Sequence, residues 1–498
     1  MIRTWLFNIN MSTLSAAALY SLISLPSSCA HAALPSDASA VETPTEMLAL
    51  LQLQRHCHIM HLFITRFPEL LGDVQASAAA VDALASSKPE TGLLLGITAL
   101  RCFTQHNFTG PALSGDLESD LQGFDNALDM GDGGRERLKD GGEEMYYMAP
   151  YCSLLLIARS ALQHAAVAEA LFPTAAWWRM RLHHAHNSSL TGPSPNLLES
   201  ITDCSSVAVK DLLSSSLDNV QQLHARLLLE TSVAVGPYKQ RWRVKQLLHE
   251  AQSLIGLQLN ITGIMGTRTK FQSEAKAQLV LQVTENAASA SPSPTSAPAA
   301  PCLPSVVALD DDVELMERVQ LDDNSGRAPL SDLASAILLC WTAHYVSDAE
   351  KGELTDEELA AYIERVKLHP GNWLVFSTCL LLQTRVESRR SKTAGRSVFQ
   401  LEVLIAEYAT AQADELERTR WLHALPWPVR WELRAEMAQR YCPHTRFWFY
   451  SPTPDFGPPS SPHHSSSSHL SDTWASACSK VPPTYSRSWS CGKRQSRA

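Results

Sequence analysis

Residues 227–283 read LLLETSVAVGPYKQRWRVKQLLHEAQSLIGLQLNITGIMGTRTKFQSEAKAQLVLQV, and the first half of that stretch admits few folds. A helix starting near Asn219 has to stop at Gly236 and Pro237, because glycine permits φ > 0 and proline removes the next backbone donor. Val244, Leu248 and Ala251 then recur at i, i+4 and i+7, with Trp242, Leu247 and Leu254 broadening the apolar face. This predicts a helix-turn-helix unit over 217–257. Small Ala251 on the inner face and a break at Gly256 suit a stacked helical repeat, in which a neighbouring helix must come close. Gly263 and Gly266 bracket an expected turn, and a further helix is expected over 271–283. Thr267 or Thr269 caps that helix and Arg268 pairs with an acid of the next unit; an anion held by Arg268 and Lys270 at the helix start is the competing reading.

Function classes are narrowed by charge and cysteine usage. The formal charge is −10, yet residues 310–364 carry 15 acids against Arg318, Arg327 and Lys351, so the rest of the chain is near neutral. Direct nucleic-acid binding asks for a basic face, and none is evident. Eleven cysteines are scattered with no Cys-x-x-Cys pair, which is no disulfide framework and favours a reducing compartment. Cys102, Cys152, Cys340 and Cys379 sit in apolar runs, where a thiol acts as a small hydrophobe. No run of 18 apolar residues is present, so no membrane span is expected.

The N-terminal extension, 1–46, competes with that compartment: Arg3, the apolar run 14–25 and Ala30-His-Ala32 resemble a cleavable secretory signal. Met11 offers a later start that would discard Arg3. Asn107, Asn187 and Asn260 head glycosylation triplets, but Asn107 and Asn260 fit turns as well. A helical domain is expected over 47–285, with helices at 47–67, 93–103 and 146–172. Residues 197–230 read as two helices or one broken near Cys204. Gly131-Asp-Gly-Gly134 lacks the Gly-Lys-Ser/Thr ending of a phosphate cradle, and Asp129, Asp132 and Asp140 would repel an anion. His183 and His186, with His56, Cys57 and His58, are the only metal ligands worth weighing. Their spacing is not that of a zinc site, and the plainer reading of 181–186 is a half-exposed helix face. No catalytic residue, metal site or cofactor is assigned.

The Ala/Ser/Pro stretch 286–309 is a linker, since it cannot build a core. Beyond it a second helical array with an acidic start occupies 310–442. Ser331 caps the first of its helices, Thr355 and Glu358 make a capping box for the next, and a break at Pro370-Gly-Asn372 precedes a helix over 373–387. A long helix over 397–420 and a last one over 425–440 follow. From 443 to 498 there are 14 Ser and 8 Pro in 56 residues, the composition of a disordered tail.

Four blocks carry a resemblance. LNITGIMGTRTKFQ at 259–272 resembles the L-T-G-x-x-G-x-R-T-x-F-Q block of the tetratricopeptide repeat protein 27 family, and LLGITALRCFTQHNFTGP at 94–111, Trp177-Trp178-Arg179 and LPWPVRWELRAEMAQRY at 425–441 fall in the family's order. The resemblance covers 47–441. It implies an all-α fold of helical hairpins stacked as an α-solenoid. It also implies a non-catalytic adaptor in protein-complex assembly or quality control, beside the heat-shock protein 90 chaperone system and its clients in the cytoplasm or nucleus, with a role in maturing a spliceosomal particle and, in fungi, in cell-wall integrity. The contact residues for such partners are not readable. In the family tandem repeats follow the last block, whereas here Cys442 leads into the tail; a shifted frame accounts for that as well as a native tail does. The rivals are an enzyme with a dispersed site and a lumenal secretory-pathway protein.

Overall fold

The computed structural model describes residues 16–24, 47–48, 50–51, 55–72, 74–110, 113, 117–121, 150–170, 172–189, 195–265, 277–285, 329–347, 354–368, 371–390, 393–410 and 420–441. In chain order these give α1 (Ala16–Ser24), α2 (His56–Arg66), α3 (Val74–Ser87), α4 (Pro89–Thr104), α5 (Cys152–Leu162), α6 (Ala165–Ala170), α7 (Phe172–Ser189), α8 (Pro195–Ser214), α9 (Val220–Val235) and α10 (Arg241–Leu254). Strands β1 (Gln258–Met265) and β2 (Ala277–Thr284) follow, then α11 (Asp332–Ser347), α12 (Asp356–Lys367), α13 (Trp373–Glu387), α14 (Ala394–Thr410) and α15 (Arg430–Tyr441).

Helices adjacent in sequence pack on one another. α7 lies on α8, α8 on α9, α9 on α10, α10 on α11, and the series runs on through α12, α13, α14 and α15. That succession is the α-solenoid of the expected fold class, in which each helix covers the apolar stripe of its neighbour. α9 and α10 reach across the linker to α11, and β2 packs on α12, within one compact unit spanning residues 1–446. The linker, the acidic start 310–328, the glycine-rich stretch 122–149 and the tail beyond 441 lie outside the described residues.

The local signals work as physical chemistry requires. Thr355 Oγ1 accepts from the Glu358 amide while Glu358 takes the Thr355 amide at 2.7 Å, closing the capping box of α12. Ser331 Oγ accepts from the Ala334 amide at 3.1 Å, and Asn372 Oδ1 from the Val375 amide at 3.0 Å. Pro89 starts α4, which is buried nearly all round. Gly96 is required there: a Cβ would stand 2.7 Å from the Leu162 side chain of α5. α9 begins after Asn219 and ends at Gly236, and Gly256 takes φ 63 just past α10.

Val244, Leu248 and Ala251 are buried on the inner face of α10. Trp242, expected to broaden that face, instead points to water with 70% of its surface exposed. It sits about 100° round the helix from the next residue's side chain and two residues from Val244, too far round to join the stripe. Ala251→Trp should therefore overpack the α9–α10 contact and cost about 1 to 3 kcal/mol or more, whereas Arg243→Ala should stay within about 0.5 kcal/mol. Thermal melting of both variants checks it; native melting in Ala251→Trp would place Ala251 on the surface.

Residues 258–284 overturn the sequence reading. The expected turn and helix are an antiparallel hairpin, with Leu259 opposite Val283, Ile261 opposite Leu281 and Gly263 opposite Leu279. AQLVLQVT alternates apolar and polar with period two except at Val280, and Leu281 and Val283 are buried while their neighbours are not. The short hairpin turn that would have betrayed it is missing, because residues 266–276 intervene; Thr267-Arg268-Thr269-Lys270 fall there, outside the described residues. Three smaller corrections concern helix ends. The helix expected over 146–172 breaks between α5 and α6 at Gln163-His164, and the one expected over 47–67 breaks at Arg55. Of the two readings of 197–230, the pair of helices holds and a break near Cys204 does not: α8 runs through Cys204 to Ser214 and α9 starts at Val220, with Ser205 Oγ and Thr231 Oγ1 2.8 Å apart between them.

Candidate functional site

Buried charge gathers between α7 and α9, with Arg101 of α4 beside them 5.6 Å from the Trp178 ring. On α7, Trp177, Arg181 and His184 fall at i, i+4 and i+7, one face turned onto α9, where Arg226 and Glu230 stand one turn apart. Arg181 Nε and Nη2 donate to the two oxygens of Glu230 at 2.7 and 2.6 Å, Arg226 Nε donates at 3.1 Å and Trp177 Nε1 at 2.7 Å. One carboxylate thus takes four donors, all buried. The Arg181 guanidinium also stacks 4.7 Å above the Trp178 ring, and that of Arg226 lies 4.6 Å above Trp421.

The spare donors of these arginines tie distant segments together. Arg226 Nη1 donates to the Ile23 carbonyl of α1 at 2.6 Å and Nη2 to the Arg420 carbonyl. Arg101, on α4, donates to the carbonyls of Leu51 at 2.8 Å and Leu22 at 3.0 Å. Trp427 Nε1 donates to the Phe108 carbonyl at 2.9 Å across 319 positions, and Arg430 donates to the Gly110 carbonyl. His184 and His423 bring their Nδ1 atoms to 3.1 Å, so one of the two carries the shared proton. Three of the four sequence blocks, at 94–111, 177–179 and 425–441, therefore meet around this junction. The fourth, at 259–272, contributes β1 instead.

Burial sets the electrostatics. Burial alone would raise the Glu230 carboxyl, but the charges and hydrogen bonds of Arg181 and then Arg226 reverse this and hold it well below the usual carboxylate range. Burial, with Arg181 and Arg226 nearby, lowers Arg101 to about 9, and burial lowers Arg226 to about 10 against the pull of Glu230. Both stay charged at neutral pH. Burial pushes His184 down to about 4 and His423 well below its ordinary value, so the pair is neutral.

Such groups hold a fold; they are poorly placed for reaction. Glu230 is closed off and too weak a base, and the neutral histidine pair is six per cent exposed on each side. The buried thiols Cys102, Cys340 and Cys379 are pushed up by burial, away from the thiolate a nucleophile needs.

Sequence reasoning named residues 181–186 and read them as half-exposed; the structure corrects this, for Arg181, His183, His184 and His186 are all buried. Their polarity hid it, because Arg181 is matched by Glu230 49 positions away and His184 by His423 239 positions away. The signal that could have found the junction is the lone i, i+4 pair Arg226 and Glu230 inside an apolar helix. Of the metal ligands weighed, His183 Nε2 bonds Ser200 Oγ at 2.7 Å and His56 Nε2 bonds Gln105 Oε1 at 2.5 Å, so the two sets do not meet. Among the described residues no three His, Cys, Asp or Glu gather as metal ligands, and no helix is long and apolar enough to cross a membrane.

No family model matches the chain, and no solved structure matches it. It is similar to the tetratricopeptide repeat protein 27 homolog of Dictyostelium discoideum, 24% identical over 379 residues, which covers 70% of this chain and 44% of the relative. A TPR repeat-containing protein of Schizosaccharomyces pombe is 26% identical over 404 residues, 69% of this chain and 47% of that one. The Saccharomyces cerevisiae protein named for being essential for maintenance of the cell wall is 29% identical over 143 residues, 26% of this chain. The chain spans somewhat under half the length of the first two. Its likeness to the tetratricopeptide repeat protein 27 family, first carried by four blocks, thus extends over most of the chain.

Proposed function

We propose that the chain is a non-catalytic helical-repeat adaptor in protein-complex assembly or quality control, working with the heat-shock protein 90 chaperone system in the cytoplasm and nucleus. The likeness over about 70% of the chain to repeat proteins carries the reading. It is supported by the way the buried Trp, Arg, Glu and His side chains are spent on joining helices. A cytoplasmic place is supported by α1, whose carbonyls at Leu22 and Ile23 serve Arg101 and Arg226; cleavage after Ala32 would take those partners away. Asn107 supports it too, being buried and donating to the Phe103 and Pro150 carbonyls, where no glycan could reach.

The test is affinity purification of the tagged full chain after cross-linking in cells. Enrichment of the chaperone with client proteins is expected, together with free thiols and no glycan. A chain that returns alone, or one carrying glycan at Asn260 in the secretory pathway, would overturn the reading.

A further inference from the structure

Two cysteines meet where α2 packs on α4. Cys57 is the second residue of α2, just past the break at Arg55, and Cys102 lies in the last turn of α4, three residues before Gln105. Gln105 holds both in place. Its Oε1 accepts from the Cys57 thiol at 3.6 Å and lies 2.5 Å from His56 Nε2, while its backbone amide donates to the Cys102 carbonyl. The two thiols are hydrogen-bonded to one another. Burial, and then the hydrogen bond and charge of Cys57, push the Cys102 thiol up, so Cys102 keeps its proton and is the donor of that bond.

Access divides the roles. Cys57 is half-buried, whereas Cys102 is closed off at 0% exposure. The first turn of α2 holds no acid, and its backbone donors favour an anion. An oxidant therefore reaches Cys57 first and finds a second thiol already against it. We propose that Cys57 and Cys102 are a redox pair, joined as a reversible disulfide when the chain meets hydrogen peroxide. The Cys57 thiolate attacks one peroxide oxygen, the O–O bond breaks, and the departing hydroxide takes up the proton that Cys57 gave up, forming water. Cys57 is left as sulfenic acid. The Cys102 sulfur then attacks the Cys57 sulfur; the S–S bond forms, the S–O bond breaks, and the second hydroxide leaves as water with the Cys102 proton. Two thiols lose two electrons, and one peroxide becomes two waters. The bridge fastens α2 to α4 one residue from Arg101, which already binds the carbonyls of Leu22 and Leu51. Oxidation thereby tightens the N-terminal helices on the junction, and this holds whether or not the chain is an adaptor.

Peroxide treatment of the reduced full chain, followed by alkylation and tryptic mass spectrometry, tests it. Cleavage after Arg55, Arg66, Arg101 and Arg135 puts the two cysteines in separate peptides, 56–66 and 102–135. These are expected as one linked species, in yield about tenfold or more above any other cysteine pairing, and dithiothreitol should part them. The oxidised chain should melt a few degrees higher, because the bridge restricts the unfolded state. Cys57→Ser, changed at a half-buried position, should melt as the reduced native chain does and lose both the link and the shift. Cys102→Ala should stop at sulfenic acid on Cys57, captured by dimedone. No linked species, a link formed in equal yield in denaturant, equal yields of other pairings, or the same oxidant-induced shift in Cys57→Ser would each overturn the proposal.

Discussion

Glu230→Gln is expected to be the most damaging single-atom change in the chain. The amide keeps the volume of the carboxylate but removes its charge and turns one acceptor into a donor, facing Arg181 and Arg226 at a distance where both were donating. The two guanidiniums are buried, at four per cent exposure each, and cannot turn to water for relief. Stranding buried charges in this way costs about 3 to 5 kcal/mol, a large fraction of a typical domain's stability. Lys367→Ala gives the contrast: its pair with Glu364 at 2.8 Å lies at the surface, where such a pair contributes about 0 to 1 kcal/mol. Denaturant titration followed by tryptophan fluorescence should show a much lower midpoint, or no native state, for Glu230→Gln and a near-native one for Lys367→Ala. Equal midpoints in Glu230→Gln and native protein would mean that the network is open to solvent.

The physical reason for such a network is that its arginines can satisfy more than one segment at once. A leucine at 226 would pack, but it could not hold the carbonyls of Ile23 and Arg420 while bonding Glu230. Replacing buried charges by hydrophobes often costs nothing in stability; what the polar set adds here is geometry, because each donor fixes one particular carbonyl. The chain thereby brings α1, α4, α7, α9 and the segment at 420–429 into a single register, and the outer surfaces of α10 and its neighbours inherit their positions from it.

Local physics was legible in the sequence, and long-range pairing was not. The inner face of α10, its end at Gly256, the box of Thr355 and Glu358 and the start of α13 after Asn372 depend on neighbours within a few positions, so spacing and capping rules reach them. The hairpin at 258–284 depends on residues paired across a long connection, and the apolar run Leu279-Val280-Leu281 in its second strand cannot be told from a buried helix segment by periodicity alone. The Arg181 to Glu230 pair spans 49 positions and the Trp427 bond 319; no periodicity reports a contact of that kind. Motif resemblance did reach them indirectly, since three of the blocks it singled out turn out to be the pieces that meet.

Acidification is expected to destabilise the chain between about pH 6.5 and pH 4, because unfolded histidine titrates near the first of these and several buried ones titrate near the second. Burial comes first in each case. It is aided by Arg430 at His106 and by Arg179 at His183, both brought to about 4. His184 also falls to about 4, and His423 falls well below its ordinary value. Across that window the unfolded chain binds protons that the folded chain refuses, so stability falls as pH falls. Glu432 acts the other way: burial lifts it to about 7, so on acidification it gains its proton earlier in the folded state and adds stability. Burial raises Glu402 in the same sense, but it also lowers His58 and His224, so two carboxyls stand against six imidazoles and the net effect is a loss. Glu230 stays ionised throughout, because its folded value lies well below the usual carboxylate range, and its own contribution is lost only as pH falls through that lower value. The melting temperature should therefore drop steadily from neutral pH to about pH 5, and His184→Gln/His423→Gln should show a flatter profile by removing two of the six sites. Identical melting at both ends of that range in the native chain would place those histidines in water and would dissolve the junction they are part of.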